Sequence, residues 1–238
     1  MTDFAEIWIY LSRGPLLWLT ATLAAYWVGD RLYQTAGRRP IVNPVLIAVV
    51  LLAGLLWVTA TPYPQFFEGA QFVHFLLGPA TVALALPLWE ARAHVRRAAL
   101  PMLAALMAGS ATAVISVILI AKGFGIGGEV LASLAPKSVT APVALGISEA
   151  VGGSPTLTAV LVILTGIIGA VVATPLLNAM GMRDWRARGF AVGVAAHGIG
   201  TARAFQVSPV AGAFAGLGMG LNAFLSAFLV PAVLAWLR

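Results

Sequence analysis

The chain predicts an all-α polytopic membrane protein, with about seven transmembrane helices and one re-entrant, Pro-broken segment. Three observations carry this. The 238 residues are 61% hydrophobic and only 9% charged, with a mean hydropathy of +0.96, against roughly 25% charged residues in soluble domains. Apolar runs approaching the roughly 20 residues needed to cross about 30 Å of hydrocarbon recur along the whole length. The basic residues stand in short clusters between those runs, as loop charges of membrane proteins do, and form no patch suited to nucleic acid. Nothing is left over for a soluble domain, so residues 1–238 read as one transmembrane domain. With no Cys, disulfides, thiol catalysis and cysteine-ligated metals are excluded.

The first stretch, Met1 to Glu6, carries Asp3 and Glu6 where a signal peptide needs basic residues, so the first span is expected to stay in the mature protein. Uninterrupted apolar length then places spans at Gly14–Val28, Ile41–Ala60, Gln71–Leu88, Ala98–Ala121, Ser154–Met180, Gly189–Gln206 and Pro209–Trp236. None shows the period-two alternation of an outer-membrane barrel strand, which leaves helix. Trp8, Trp18, Trp27, Trp57, Trp89, Trp185 and Trp236 mostly flank spans and are expected at the membrane interfaces.

Three arginine clusters set the orientation. Arg31, Arg38 and Arg39, then Arg92, Arg96 and Arg97, then Arg183, Arg186 and Arg188 hold nine of the fourteen Lys and Arg residues, and all should face the cytoplasm. An outside N-terminus satisfies the first two. The third is satisfied only if Glu129–Ala150 enters and leaves by the outer face as a re-entrant hairpin, which gives seven crossings and a cytoplasmic Arg238. The residues of that segment agree. In Ala135-Pro136-Lys137-Ser138-Val139-Thr140-Ala141-Pro142 two prolines remove backbone donors and disfavour helix before them. Non-helical backbone at membrane depth needs protein or a wet cavity around it, and a Lys there is a functional candidate. The alternative is a shallow loop from which Lys137 snorkels to the surface.

Two further segments are broken. Leu77-Gly78-Pro79-Ala80-Thr81 interrupts the third span just after His74, and Ala195-Ala196-His197-Gly198-Ile199-Gly200-Thr201-Ala202-Arg203 interrupts the sixth. Both read Gly-x-x-Thr and lie on spans of opposite direction, as an inverted repeat would leave them. Discontinuous helices of this kind point half-helix N-termini at the bilayer midplane, where exposed N–H groups attract anions.

Leu77-Gly-Pro-Ala-Thr-Val-Ala-Leu-Ala-Leu-Pro-Leu88, Pro136-Lys-Ser-Val-Thr-Ala-Pro142 and His197-Gly-Ile-Gly-Thr-Ala-Arg-Ala204 resemble the signature segments of the LrgB/CidB family, in order and at the family's spacing. The resemblance covers most of the chain. It implies a multi-pass protein of the bacterial inner membrane, working beside a small LrgA/CidA-type membrane partner. It also implies one of two roles: a holin/antiholin-like regulator of murein hydrolase activity and cell lysis, or a carrier of small carboxylates such as pyruvate or acetate. A plastid relative of that family, fusing both parts, moves glycolate and glycerate.

The residues themselves suit a small organic anion. Lys137 and Arg203 are the cations at membrane depth, and Arg can clamp a carboxylate with two parallel hydrogen bonds. Ser138, Thr140, Thr81 and Thr201 supply neutral donors, while Pro79, Gly198 and Gly200 open the backbone beside them. Glu149 and His197 could carry a coupled proton, since surroundings can bring either to titrate near neutrality. The plainer readings are that Glu149 or Glu129 neutralises Arg203 or Lys137, and that His197 is a satisfied core histidine. No cofactor or metal is expected, and no enzyme: the chain has no Gly-x-Ser-Gly, no membrane-embedded Asp pair and no His-Glu-x-x-His. Gly123-Phe-Gly-Ile-Gly-Gly128 imitates a phosphate loop but follows a span instead of a β-strand, and reads as an outer loop. Gly212, Gly216 and Gly220, four residues apart, predict close helix packing within the fold or at a homodimer face. Besides the two roles above, a scaffold for the LrgA-type partner alone is a third reading.

Overall fold

The computed structural model describes residues 14–76, 79, 82–83, 89 and 92–237. Among them every regular element is a helix, and the chain divides into two compact units, Met1–Ala83 and Leu84–Arg238.

The first unit holds α1 (Pro15–Thr35), α2 (Pro44–Val58) and α3 (Tyr63–Phe75). Pro15 and Pro44 start their helices where a missing N–H costs nothing. Asn43 caps α2, its Oδ1 accepting from the Val45 and Leu46 amides at 2.9 and 3.1 Å. Gly29 lets α1 meet the start of α2, since a Cβ there would lie 2.6 Å from the Pro44 carbonyl oxygen. Trp18 is fully buried, edge-on to Phe66 at 5.8 Å, so it is a core residue and no interface anchor. Trp27, Trp57, Trp89, Trp185 and Trp236 are exposed, and Trp8 lies outside the described residues. The predicted first span stops short, because α1 continues through Asp30 and Arg31 to Thr35. The third predicted span starts inside α3 and lies mostly outside the described residues.

The second unit holds α4 (Arg92–Arg97), α5 (Ala99–Gly123), α6 (Gly128–Leu134), α7 (Ala141–Ala150), α8 (Pro155–Ala179), α9 (Trp185–Val207) and α10 (Pro209–Leu237). Helices α5, α8 and α10, of 25, 25 and 29 residues, are long and apolar enough to cross a membrane. The short α6 and α7 form a hairpin, as the sequence predicts. Leu131 and Ile147 share one apolar cluster, and Gly127, Gly128, Val151 and Gly152 line one cavity, so the chain leaves where it enters.

Helix α9 departs from the sequence expectation of a sixth crossing at Gly189–Gln206. Its helical course fails at Ala196 (φ −129°, ψ 15°) and His197 (φ 41°, ψ −134°). The first arm, 185–195, runs parallel to α10, since Cβ atoms on Gly189 and Gly193 would collide with the Ala211 and Ala215 carbonyls in turn. The second arm, 198–207, comes back: a Cβ on Gly200 would sit 3.1 Å from the Val192 carbonyl, eight residues earlier. In a straight helix eight residues span about 12 Å. Phe205 then lies on Gly212 while Thr201 reaches Met219, the reversed order of an antiparallel arm. The segment is thus a second hairpin in place of one straight helix.

One consequence concerns the end of the chain. Met102 and Leu106 of α5 pack with Phe214, and Val114 to Ala121 with Val230 and Leu234, so α5 and α10 are parallel. The C-terminal end of α10 therefore lies with the Gly123–Gly128 turn, opposite Trp185 and the Arg183 turn. The sequence predicts the C-terminus and the Arg183 cluster on one side, which holds only for a straight α9; Arg238 itself lies outside the described residues.

Of the glycines singled out from the sequence, Gly212 packs against α9, but the closest backbone approaches use others. Gly189 and Gly193 meet α10 backbone, and Gly218 meets the Phe190 carbonyl, while Gly220 has open space beside it. Gly212 accommodates a phenyl ring of the same chain.

Candidate site between two hairpin turns

The first hairpin turns because Pro136 and Pro142 bracket its tip. After α6 the Lys137 amide donates to the Leu134 carbonyl at 3.2 Å and the Val139 amide to that of Pro136 at 3.0 Å, and Pro142 falls in the first turn of α7, where it is tolerated. Below the tip a buried knot fixes the arms to α8. Thr158 Oγ1 reaches the Ser148 hydroxyl at 2.6 Å and the Ser133 carbonyl at 3.0 Å, and Ser133 Oγ accepts from the Ser154 amide at 2.7 Å. Ser133, Ser148 and Thr158 are all fully buried, so the knot replaces water with protein partners, as buried polar groups require.

The second turn is held by its surroundings. His197 adopts φ 41°, a region rare for residues with a Cβ. Its Nε2 donates to the Val162 carbonyl oxygen at 2.9 Å, and its own carbonyl accepts from Thr201 Oγ1 at 2.8 Å. Gly166 of α8 leaves the space its ring occupies, and Gly169 the space for Ala196.

The two turns meet. Asn222 Nδ2 donates to the Ser138 carbonyl at the first tip and to the Val194 carbonyl below the second, both at 3.1 Å. Its Oδ1 accepts from Ser110 at 2.6 Å and Ser226 at 3.3 Å. Val139 and Ala144 pack on Val162, whose carbonyl holds His197. Asn222 and Ser110 sit near the midpoints of α10 and α5, so the cluster lies about halfway across the unit. Asn222, Ser110 and the Val162 carbonyl escaped the sequence reading, since a lone Asn or Ser in an apolar run signals nothing by spacing.

The structure distributes the predicted residues as follows. Lys137 is half-buried at the first tip, its Nζ 3.4 Å from Ser138 Oγ, and close enough to His197 for their charges to interact. Ser138 is buried, and Thr140 takes the N-cap of α7 without bonding its amides. Gly198 opens the second arm and is exposed. Gly200 packs on Val192, and Thr201 turns to its own helix and Met219, so both build the hairpin.

Arg203 is not at the turn. It lies six residues further, about 9 Å of helix, and lines a cleft with Arg188 and Trp185 near the hairpin's open end. The expected grouping of Arg203 with Lys137 fails because α9 folds back and carries Arg203 away from the tips. Glu149 is exposed at the end of α7 away from Lys137, and Glu129 is exposed in the first turn of α6; neither is beside the tips. Pro79 is exposed in the first unit, and Thr81, like Gly78, lies outside the described residues. Among the described residues no cluster of His, Cys, Asp or Glu could hold a metal.

No solved structure matches this chain. The uncharacterized protein YwbG of Bacillus subtilis is 35% identical over 92% of this chain and 97% of its own length. Holin-like protein CidB of Staphylococcus epidermidis is 30% identical over 92% of this chain and 95% of its own, and its Staphylococcus aureus namesake 31% over the same shares. The LrgB-like family profile matches residues 22–236, a range that takes in both hairpins and all three long apolar helices. By that match and by these relatives, the chain belongs to the LrgB-like family of membrane proteins.

Proposed function

We propose that the chain is a membrane carrier of small monocarboxylates, of the pyruvate, acetate, glycolate and glycerate class, in a bacterial inner membrane. The observation that supports this most is the meeting of two hairpin turns, one bearing Lys137, halfway along three helices long enough to span. Helix α7 and the 198–207 arm both begin at these turns, so two helix N-termini, the positive ends of their dipoles, and the Lys137 ammonium at the first tip would favour an anion there. Helix α5 with the first hairpin and α8 with the second run in opposite directions, the plan of an inverted repeat. In this reading the pair for the second hairpin is the first, in place of the Gly78–Thr81 segment, and rocking of one against the other alternates access. By the positive-inside rule the Arg97 end and the Arg183 turn face the cytoplasm, which puts the C-terminus outside. His197 is the group proposed to carry a coupled proton at the turns, with Glu149 at the mouth of the first hairpin.

The test is uptake of labelled pyruvate, acetate, glycolate and glycerate into proteoliposomes, with and without an LrgA/CidA-type partner. Removing a buried partner of a bound charge costs on the order of 2–5 kcal/mol, so Lys137→Ala should weaken apparent affinity roughly 30-fold to several thousand-fold at about 1.4 kcal/mol per decade. Arg38→Ala should not. Saturable uptake unaffected by Lys137→Ala would place the site elsewhere.

A second reading has its own support. Relatives of this chain carry the name holin-like protein CidB, and the names favour a holin-like regulator of murein hydrolase activity and lysis, acting through the partner, over a carrier. A wild type that moves none of the four carboxylates with its partner present, yet changes autolysis when expressed, would decide for this reading.

A further inference from the structure

We propose that the Asn222 amide is a latch between the two hairpin turns, which part when its two carbonyl bonds break and rejoin when they form. Its Nδ2 serves both hairpins, donating to the Ser138 carbonyl at the first tip and to the Val194 carbonyl below the second, each at 3.1 Å. Carbonyls can accept only from the NH2 end of the amide. The other end agrees with that orientation, because the Ser110 and Ser226 hydroxyls both donate to Oδ1. These two serines belong to α5 and to α10 itself, and all three side chains are buried. Losing the carbonyl bonds therefore leaves Asn222 anchored and aimed to form them again.

Strength and strain distinguish a latch from a fixed brace. Two side-chain hydrogen bonds of the average strength found inside membranes favour the joined state only about eightfold, so the link is reversible. The second turn is strained, with His197 at φ 41°, and is held by the bond to the Val162 carbonyl and by the latch three residues earlier. Backbone of this kind persists only where its surroundings over-determine it, and it concentrates at switch segments. Freeing the Val194 carbonyl removes one of those ties. The first tip is a turn above arms that the Ser133, Ser148 and Thr158 knot pins to α8, so it can shift while its base stays. Once the latch opens, the Ser138 and Val194 carbonyls need new donors at membrane depth, and water entering between the turns supplies them. This inference deepens the carrier reading and rests on it for its use: parting is the step that would let a substrate reach Lys137.

The experiment uses the full-length protein in liposomes, with one cysteine introduced as Ser138→Cys into the Cys-free chain. A thiosulfonate reagent reacts with the thiolate and so reports water at the first tip. Removing the donors by Asn222→Leu should raise the modification rate about eightfold. Ser110→Ala leaves both carbonyl bonds in place and should keep the rate near that of the parent. Ala121→Cys, buried in the apolar cluster of α5, reports general loosening and should stay unmodified with Asn222 present or replaced. Hydrogen exchange of the unmodified protein needs no variant: the amides of 137–140 and 194–198 should exchange together and sooner than those around Ser110. Turns protected as strongly as the middle of α5, an unchanged Ser138→Cys rate in Asn222→Leu, or an equal rise at Ala121→Cys would each overturn the latch. Uptake of the four labelled carboxylates into the same liposomes, with the partner present, reads the carrier separately. No uptake together with a raised rate would reject the carrier and uphold the latch, and saturable uptake with an unchanged rate would do the reverse.

Discussion

Asn222 uses both donors and accepts twice, joining two spanning helices to both turns. Side-chain hydrogen bonds inside membranes average about 0.6 kcal/mol, so removing all of these by Asn222→Leu should cost about 2–3 kcal/mol. Ser110→Ala, which removes one, should cost under about 1 kcal/mol, and denaturant unfolding in detergent separates the two. At His197 the ordinary helix ranking should invert. Glycine tolerates φ 41° and alanine does not, so His197→Gly should be more stable than His197→Ala by about 1 kcal/mol, although both lose the bond to Val162. Equal stabilities in thermal melts would mean the turn relaxes. The sequence exposed Lys137 and His197 because ionisable groups in apolar stretches are costly, but it could not rank Asn222, whose value lies in three partners from distant parts of the chain, Ser110, Ser138 and Val194.

At the scale of elements, backbone contact between α9 and α10 makes a sharp contrast among glycines. Gly193→Ala would drive a methyl into the Ala215 carbonyl and should destabilise by about 1–3 kcal/mol. Gly220→Ala meets nothing and should be neutral or stabilising by up to about 1 kcal/mol. Thermal unfolding of the two variants checks this. Asp184 caps α9, its Oδ1 accepting from the Arg186 amide at 2.8 Å while its carboxylate pairs with the Arg186 guanidinium. That side-chain bond, with the backbone bond, holds the carboxyl down at about 2. A lowered carboxylate pKa stabilises fully above the ordinary value near 3.8 and loses that contribution as pH falls toward 2. Asp184→Ala should therefore cost about 1 kcal/mol at pH 7, and the difference from wild type should shrink on acidification to pH 2. A difference independent of pH would show that the charge has no part in it.

For the whole molecule, cysteine labelling of this Cys-free chain tests the fold-back. Gly125→Cys and a cysteine added after the last residue should label from one side of the membrane, Arg97→Cys and Ala187→Cys from the other. A C-terminal cysteine that labels with Ala187→Cys would restore α9 as a crossing. The sequence alone determined the solvent, since so little charge and so much apolar length leave only a bilayer. It also marked the three long apolar helices of the second unit, and the first hairpin, because two prolines break the backbone locally wherever the rest of the chain lies. The second hairpin was decided by tertiary structure. Residues 185–207 contain no proline, and their apolar length suits a straight span. The fold-back needs Gly166 and Gly169 on α8 to admit His197 and Ala196, and Gly189, Gly193 and Gly200 to let three backbones close on one another. Those are contacts between residues far apart in sequence, invisible to any local pattern, and they alone set where Arg203 lies and on which side α10 ends.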